Sequence, residues 1–299
     1  MIARFAIPLP AGYDAGHALA FHGRDAGGPA ERVDGARIGK GVLLDGAPVL
    51  FDVTLHADRA ECTIDADVDA AAAAPVLAQA QAALPNLLGL RIDPAPFAAM
   101  VADDALFGPL VRRQPGLRVI QSATVFEALT WAIIGQQINL SFAIALRRMF
   151  IALAGRPHPG GMWCYPEASD VARLDIEQLT TRKFSRAKAE TLCRLARLVA
   201  DGTLDLEHLM DDEDAPGAGA RLLAIKGIGP WTVNYTLLRG YGYPDCSLHG
   251  DVAVRNAIGA LLGAARPDQA GAEAFLQAYR PHRTMAAAYC WASLNQPAA

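Results

Sequence analysis

The spacing of apolar and polar positions changes once along this chain. In the first ninety or so residues the apolar positions alternate or come in short runs. Ala3 to Ile7 read as a first strand, ended by Pro8 and Pro10; a short helix around Ala15 to Phe21 and a Gly-rich loop through Gly35 follow. Arg37 to Leu44, Pro48 to His56 and Ala60 to Ile64 alternate and carry turn formers such as Asp45-Gly46 between them, which predicts an antiparallel sheet of short strands. Ala70 to Leu84 is Ala-rich and predicts a helix. From about Pro94 the strand pattern stops. Pro96 to Val111 and Val125 to Leu153 have helical spacing, the latter with Phe126, Leu129 and Ile133 on one face and Ile138, Phe142, Leu146 and Met149 on another. Gly135-Gln136-Gln137 separates those faces and predicts a break. Short helices at Ser169 to Leu174 and Ile176 to Thr181 lead to a longer one from Ser185 to Val199, closed by Asp201-Gly202. Val252 to Ile258, Ala257 to Leu262, Asp268 to Ala278 and His282 to Leu294 complete the helical part. The fold class is therefore α+β: a small N-terminal αβ sheet domain over 1–95 and an all-α region over 96–299.

The most informative stretch runs from Leu222 to Asp251. An apolar run, Leu222 to Ile225, ends at Lys226-Gly227-Ile228-Gly229, and Pro230 suits the first turn of a new helix. Trp231, Tyr235 and Leu238 then share one face as far as about Arg239. This predicts a helix-hairpin-helix over 222–239. Its hairpin and first-turn amides, at Gly227, Ile228, Gly229 and Thr232, point at one place and suit a phosphate. An ordinary connection between packed helices uses the same local rules. A loop over 240–251, rich in Gly, Pro, Asp and Ser, then delivers Asp251 to the start of the next helix. Asp is a common N-cap. It is also a carboxylate that can steady an oxocarbenium-like sugar and orient a water, and one residue can do both.

Composition changes this picture little. The 299 residues are 52% hydrophobic and 19% charged, enough for a sizeable core. A net charge of −4 does not favour a general nucleic-acid binder, although local charge matters more than the sum. No apolar run approaches membrane-spanning length and the N-terminus has no secretory pattern, so a cytoplasmic, nucleoid-associated protein without a membrane is expected. The five cysteines are scattered, with no CxxC or zinc spacing, and are expected to be reduced thiols.

Four places together resemble the bacterial DNA-3-methyladenine glycosylase II family: Gly227 through Tyr235 with Asp251 behind it, Phe126-Glu127-Ala128 through Gln137, Tyr13-Asp14 with Phe21, and Arg280-Pro281-His282-Arg283 through Trp291. The resemblance implies a sheet domain followed by two helical lobes with a cleft between them. It makes Asp251 the catalytic aspartate, with Trp231, Tyr235 and Trp291 lining a pocket for a flipped base and Phe21 reaching in from the first domain. Each of these aromatics also suits plain core packing, and Trp131 is read as core. Gln136 and Gln137 fall where the family places the wedge that fills the gap left by the base. The chain departs there, because the family's well-known member has leucine at the position of Gln137; it also has Gly250 and His249 in place of an aspartate and a proline. Relatives that also cut the strand carry a lysine where this chain has Trp231, so a hydrolase without lyase activity is expected. The implied partner is double-stranded DNA containing alkylated bases, bound by a monomer. No cofactor is required, although a structural monovalent cation on the carbonyls of Leu223 and Ile225 is compatible. The C-terminal four-cysteine cluster that marks an iron–sulfur centre is missing. Two alternatives stay open: a helix-hairpin-helix DNA-binding protein without catalysis, and a glycosylase for a different damaged purine.

Overall fold

In the computed structural model, which describes residues 1–294, the N-terminal segment forms a five-stranded antiparallel sheet. Its strands are β1 (Ile2–Pro8), β2 (Glu31–Asp34), β3 (Arg37–Leu44), β4 (Ala47–Leu55) and β5 (Arg59–Ala66), in spatial order β1-β5-β4-β3-β2. Asp45 at φ 47° and Gly46 at φ 78° turn β3 into β4 and set Leu44 opposite Ala47. Two positive φ values in a two-residue turn match the twist of the strands they join. Along β4, Ala47, Val49, Phe51, Val53 and Leu55 are buried and alternate with half-buried positions. They pack with α2 (Ala73–Leu87) in a core that also takes in Ile120 and Ala123. Helix α1 (Ala15–His22) is capped by Asp14, whose carboxylate accepts from Gly16 N at 2.8 Å.

Strand β2 lies in what the sequence pattern marks as a Gly-rich loop. Three of its four residues are polar, and Glu31 is buried there by charge partners instead of apolar ones. A second departure follows Pro94, where strands were not expected. Two two-residue strands, β6 (Arg156–Pro157) and β7 (Trp163–Cys164), are too short to show a period. They pair with each other, and β7 and the following Tyr165 lie against β3: Tyr165 N donates to Gly41 O at 2.9 Å and Leu43 N to Tyr165 O at 3.0 Å. Gly41 permits this approach, because a Cβ there would collide with the Trp163 carbonyl. β3 is consequently buried along nearly its whole length.

The remaining helices pack around a separate apolar core. Where one helix is predicted over 96–111 there are two, α3 (Ala95–Met100) and α4 (Phe107–Arg113). The Asp104 carboxylate accepts from Leu106 N and Phe107 N, both at 2.8 Å, and so starts a new helix. α5 (Val125–Gly135) and α6 (Leu140–Ala154) are separated at the predicted break. α7 (Ala168–Ala172), α8 (Ile176–Thr180), α9 (Arg186–Ala200), α10 (Leu209–Asp212) and α11 (Ala215–Leu223) lead to α12 (Pro230–Thr236), which runs on into a π turn, Leu237–Tyr241. α13 (Val252–Leu261), α14 (Gln269–Gln277) and α15 (Arg283–Leu294) follow.

A buried ion network ties the sheet to the helices. Lys40 on β3 donates to Glu31 at 2.6 Å and to Glu127 on α5 at 2.8 Å. Arg147 on α6 donates to Glu127 at 2.8 Å and lies 3.1 Å from Glu31. Burial pushes the Glu31 carboxyl up, but Arg147, Lys40 and Arg24 outweigh it and hold the group well below the usual carboxylate range. Glu127 is likewise lowered by Lys40 and Arg147 against its burial.

Candidate active site

The hairpin forms as the sequence predicts, but its two glycines do different work. Gly227 takes φ +100°, and a Cβ there would collide with the Thr191 side chain. Gly229 is extended at φ −109° and is the N-cap of α12. A Cβ on Gly229 would meet nothing, so this position leaves open space beside the backbone. The N–H groups of Gly229, Trp231 and Thr232, at the start of α12, have no intrahelical acceptor. Ile228 is buried, and its N–H closes the turn on Ile225 O at 3.0 Å. Thr232 also faces inward at 2% exposure, where its hydroxyl accepts from Gln136 Nε2 at 2.9 Å. The amides expected to face a phosphate thus reduce to those of Gly227 and Gly229 and the first turn of α12. The side chains of Ile228 and Thr232 hold the hairpin from behind.

Gln136 does not extend outward either. Its amide donates to Gly227 O at 3.1 Å as well as to Thr232, which fixes the α5–α6 break against the hairpin. Gln137 is exposed, in the left-handed region at φ 55°. Asn139 then caps α6, accepting from Phe142 N at 2.9 Å. The break is therefore a short loop fixed at both ends that presents Gln137.

Asp251 is the N-cap of α13 and more than that. Its Oδ1 accepts from Ala253 N at 2.9 Å, Val254 N at 3.0 Å and the Trp291 indole at 3.2 Å. Its Oδ2 accepts from the Trp231 indole at 2.9 Å. The first two bonds are ordinary capping. The two indole bonds come from α12 and α15, separated from Asp251 by 20 and 40 residues, and they fix the carboxylate among aromatic faces. Trp231 packs against Tyr235 with ring centroids 5.2 Å apart. The Tyr235 hydroxyl accepts from the Trp131 indole at 2.9 Å. Trp131 is thus half-buried at the site and not in the core. The structure brings Asp251, Trp231, Tyr235 and Trp291 together, the four residues that the resemblance groups. Phe21, on α1, is linked to this cluster through two guanidiniums that its ring faces, Arg24 at 3.9 Å and Arg239 at 4.9 Å, the latter also 5.4 Å from Trp291. Neither arginine stands out in the sequence. The only sequence signal for Arg24 is its place three residues after Phe21, and Arg239 is hidden at the end of the hairpin helix. A groove of about 850 Å³ on another part of the surface, bounded by Asn86, Arg91, Glu207 and Tyr243, holds none of these residues.

The hairpin carbonyls are largely engaged by donors. Ile225 O accepts from Ile228 N, Lys226 O from the Arg194 guanidinium at 3.0 Å, and Gly227 O from Gln136. Among the described residues no group of three or more His, Cys, Asp or Glu side chains is placed to hold a metal ion. All five cysteines are buried and unpaired. No helix among the described residues is long and apolar enough to cross a membrane.

Two family descriptions match the chain: "AlkA N-terminal domain" over residues 5–123 and "HhH-GPD superfamily base excision DNA repair protein" over residues 130–281. A DNA-3-methyladenine glycosylase of Bacillus subtilis is 37% identical over 169 residues, which span 56% of this chain and 55% of that protein. DNA-3-methyladenine glycosylase 2 of Escherichia coli is 28% identical over 220 residues, 73% of this chain and 72% of that protein. A solved 3-methyladenine DNA-glycosylase from Archaeoglobus fulgidus superposes with a TM-score of 0.81 at 21% identity, covering 96% of this chain and 97% of that one, so the two share a fold.

Proposed function

The chain belongs to the HhH-GPD superfamily of base excision DNA repair proteins, and from that membership we propose that it is a monofunctional DNA glycosylase that releases alkylated bases from duplex DNA. The observation that carries the reading is the binding of one carboxylate by two indoles and a helix N-terminus. A simple cap needs only the last of these.

In this reading the amides of Gly227, Gly229 and the first turn of α12 bind a backbone phosphate, and the open side of Gly229 lets it approach. The damaged nucleotide rotates out of the stack and exposed Gln137 fills the space it leaves. The base stacks among Trp231, Tyr235 and Trp291. As the bond from C1′ to the base nitrogen breaks, its electron pair leaves with the base and positive charge grows on the sugar. Asp251, already oriented by its four donors, stabilises that charge and directs a water whose oxygen forms the new bond to C1′. The water's proton passes to Asp251 and on to solvent. None of the hydrogen bonds to Asp251 comes from a lysine. Lys188 donates to Ile134 O at 2.7 Å. By the resemblance, the position of a lyase's lysine is occupied here by Trp231, and this supports hydrolysis without Schiff-base chemistry. A monovalent cation, if bound, would be held by the carbonyls of Leu223 and Ile225, the latter shared with Ile228 N, and would supply positive charge for a phosphate. The protein acts as a monomer and needs no other cofactor.

The test is incubation of the pure protein with methylated duplex DNA, followed by separate assays for abasic sites, strand nicks and borohydride-trapped adducts. Abasic sites without nicks or adducts are expected. Trapped covalent adduct would refute the monofunctional mechanism, and binding without abasic sites would favour a non-catalytic helix-hairpin-helix protein.

A further inference from the structure

Two arginines that the proposed reaction does not use lie among the pocket rings. The Arg24 guanidinium is 3.9 Å from the Phe21 ring and 5.6 Å from that of Trp131. Arg239 lies 4.9 Å from Phe21 and 5.4 Å from Trp291, the indole that holds Asp251. Both are tethered by carbonyls, Arg24 to Phe21 O at 2.7 Å and Arg239 to Ile120 O. Their charges are poorly neutralised. Arg24 has only Glu31, at 3.6 Å, and that carboxylate is already shared with Lys40 and Arg147. Arg239 bonds a neutral carbonyl, with no carboxylate in salt-bridge reach among the described residues, and its Nε is buried without an acceptor. Burial disfavours its charged form and the nearby Arg24 adds to that, while the Tyr235 hydroxyl beside it offsets part of the loss.

The sign of this charge matters for a leaving base. A purine alkylated on a ring nitrogen carries positive charge while bonded to the sugar and departs neutral. A second cation in its pocket opposes its entry, and the aromatic faces that would attract it are partly covered by guanidinium. An unalkylated 6-oxopurine is neutral while bonded and departs as an anion. Its N7 and O6 are acceptors that a guanidinium can bind together, and a fixed positive charge stabilises the departing anion more than the bound base.

We propose that Arg24 and Arg239 are specificity-determining residues that tune this pocket toward neutral 6-oxopurines, with Glu31 positioning Arg24. The inference rests on the glycosylase reading above and refines its lesion class; cationic bases are released because they are intrinsically labile, without help from this pair. In the step itself the C1′–N9 bond breaks with its electron pair going to the purine. Water oxygen bonds C1′, the water proton goes by way of Asp251 to solvent, and the purine anion takes a proton from solvent after release. Both arginines stay protonated throughout.

The experiment compares single-turnover release of hypoxanthine and of 7-methylguanine from otherwise identical duplexes. The proteins are wild type, Arg239→Met, Arg24→Met and Arg239→Lys, each with its melting temperature recorded; methionine keeps the apolar stem and removes the charge. Each Met variant is expected to lose about tenfold or more in hypoxanthine release while 7-methylguanine release stays within about threefold or rises. Arg239→Lys is expected to keep the wild-type ratio of the two rates within about threefold. If Arg239→Met does not fold, Arg24→Met, on a different segment, decides the matter. A ratio unchanged within about twofold in the folded Met variants, or a wild type that releases 7-methylguanine but no hypoxanthine, would overturn this inference and leave the glycosylase reading standing. Release of neither base by the wild type would overturn both.

Discussion

Replacing Lys40 by methionine should destabilise the protein severely through charge alone. Methionine is about as long as the lysine stem, so packing changes little. Lys40 is 1% exposed and lies 2.6 Å from Glu31 and 2.8 Å from Glu127. At an effective dielectric constant near 20, each contact is worth about 6 kcal/mol of gross attraction. Much of that is offset by the cost of burying the three groups. The part that does not cancel is the charge left behind, because Arg147 must then serve both carboxylates, helped only at Glu31 by Arg24 at 3.6 Å. Breaking a buried pair by removing one partner costs about 3–5 kcal/mol. With an unfolding entropy of about 2.1 cal/mol/K per residue, a chain of this length should lose about 5–8 °C in melting temperature. Urea unfolding followed by tryptophan fluorescence measures the loss, and the double variant Lys40→Met/Glu127→Gln tests its cause. Neutralising Glu127 removes one of the stranded charges and should restore at least about 1 kcal/mol relative to Lys40→Met. A loss below about 1 kcal/mol for Lys40→Met would refute the reasoning, and so would strict additivity in the double variant.

Two further outcomes follow from the same geometry. Gly227→Ala meets a positive φ and the Thr191 side chain, and should cost about 1–3 kcal/mol in urea unfolding. Gly229→Ala meets nothing in the protein and should leave stability within about 0.5 kcal/mol, yet weaken duplex binding in a fluorescence-anisotropy titration. Unchanged binding by Gly229→Ala would remove the phosphate from that position. The pH dependence also has a definite direction. Glu31 and Glu127 are held below the ordinary glutamate value of 4.5 in the fold. As pH falls through that value the unfolded chain takes up protons that the native state refuses. Their stabilisation is thus complete above pH 4.5 and lost as pH falls toward the depressed native values. Urea midpoints of wild type and Glu127→Gln should therefore converge below pH 4.5; a gap that widens there would contradict the network.

The sequence made some parts of this structure plain and hid others for identifiable reasons. The alternation of β3, β4 and β5 and the Asp45-Gly46 turn are local signals, and the strands form there. The α5–α6 break is equally local, fixed by Gly135 and the Asn139 cap. β2 was hidden because its buried residue is Glu31, stabilised by Lys40 and Arg147 from distant segments. β6 and β7 were hidden because each is only two residues long and is a strand by pairing with the other, Arg156 opposite Cys164, with no period of its own. At the site, Asp251, Trp231 and Tyr235 sit in one legible stretch. That Trp291 would supply the second indole to Asp251 could be taken only from the resemblance. The hydrogen bond of Trp131 to Tyr235, and the guanidiniums of Arg24 and Arg239 around Phe21, depend on the packing of α1, α5 and α12 and have no sequence period of their own. Gln136 and Thr232 show the opposite case: two polar residues that look available for DNA turn to each other.

The central claim is that Asp251 is chemically active as well as a cap. The decisive measurement is release of 3-methyladenine and 7-methylguanine from methylated DNA by wild type beside Asp251→Asn, with duplex affinity measured on both. Asparagine is isosteric and its amide oxygen still caps α13, so the fold and DNA binding should be retained. Release should fall by a factor on the order of 10² to 10³ or more, the scale for losing one preorganised electrostatic group. Equal release by the two proteins would show that Asp251 only caps its helix and would move the chemistry elsewhere.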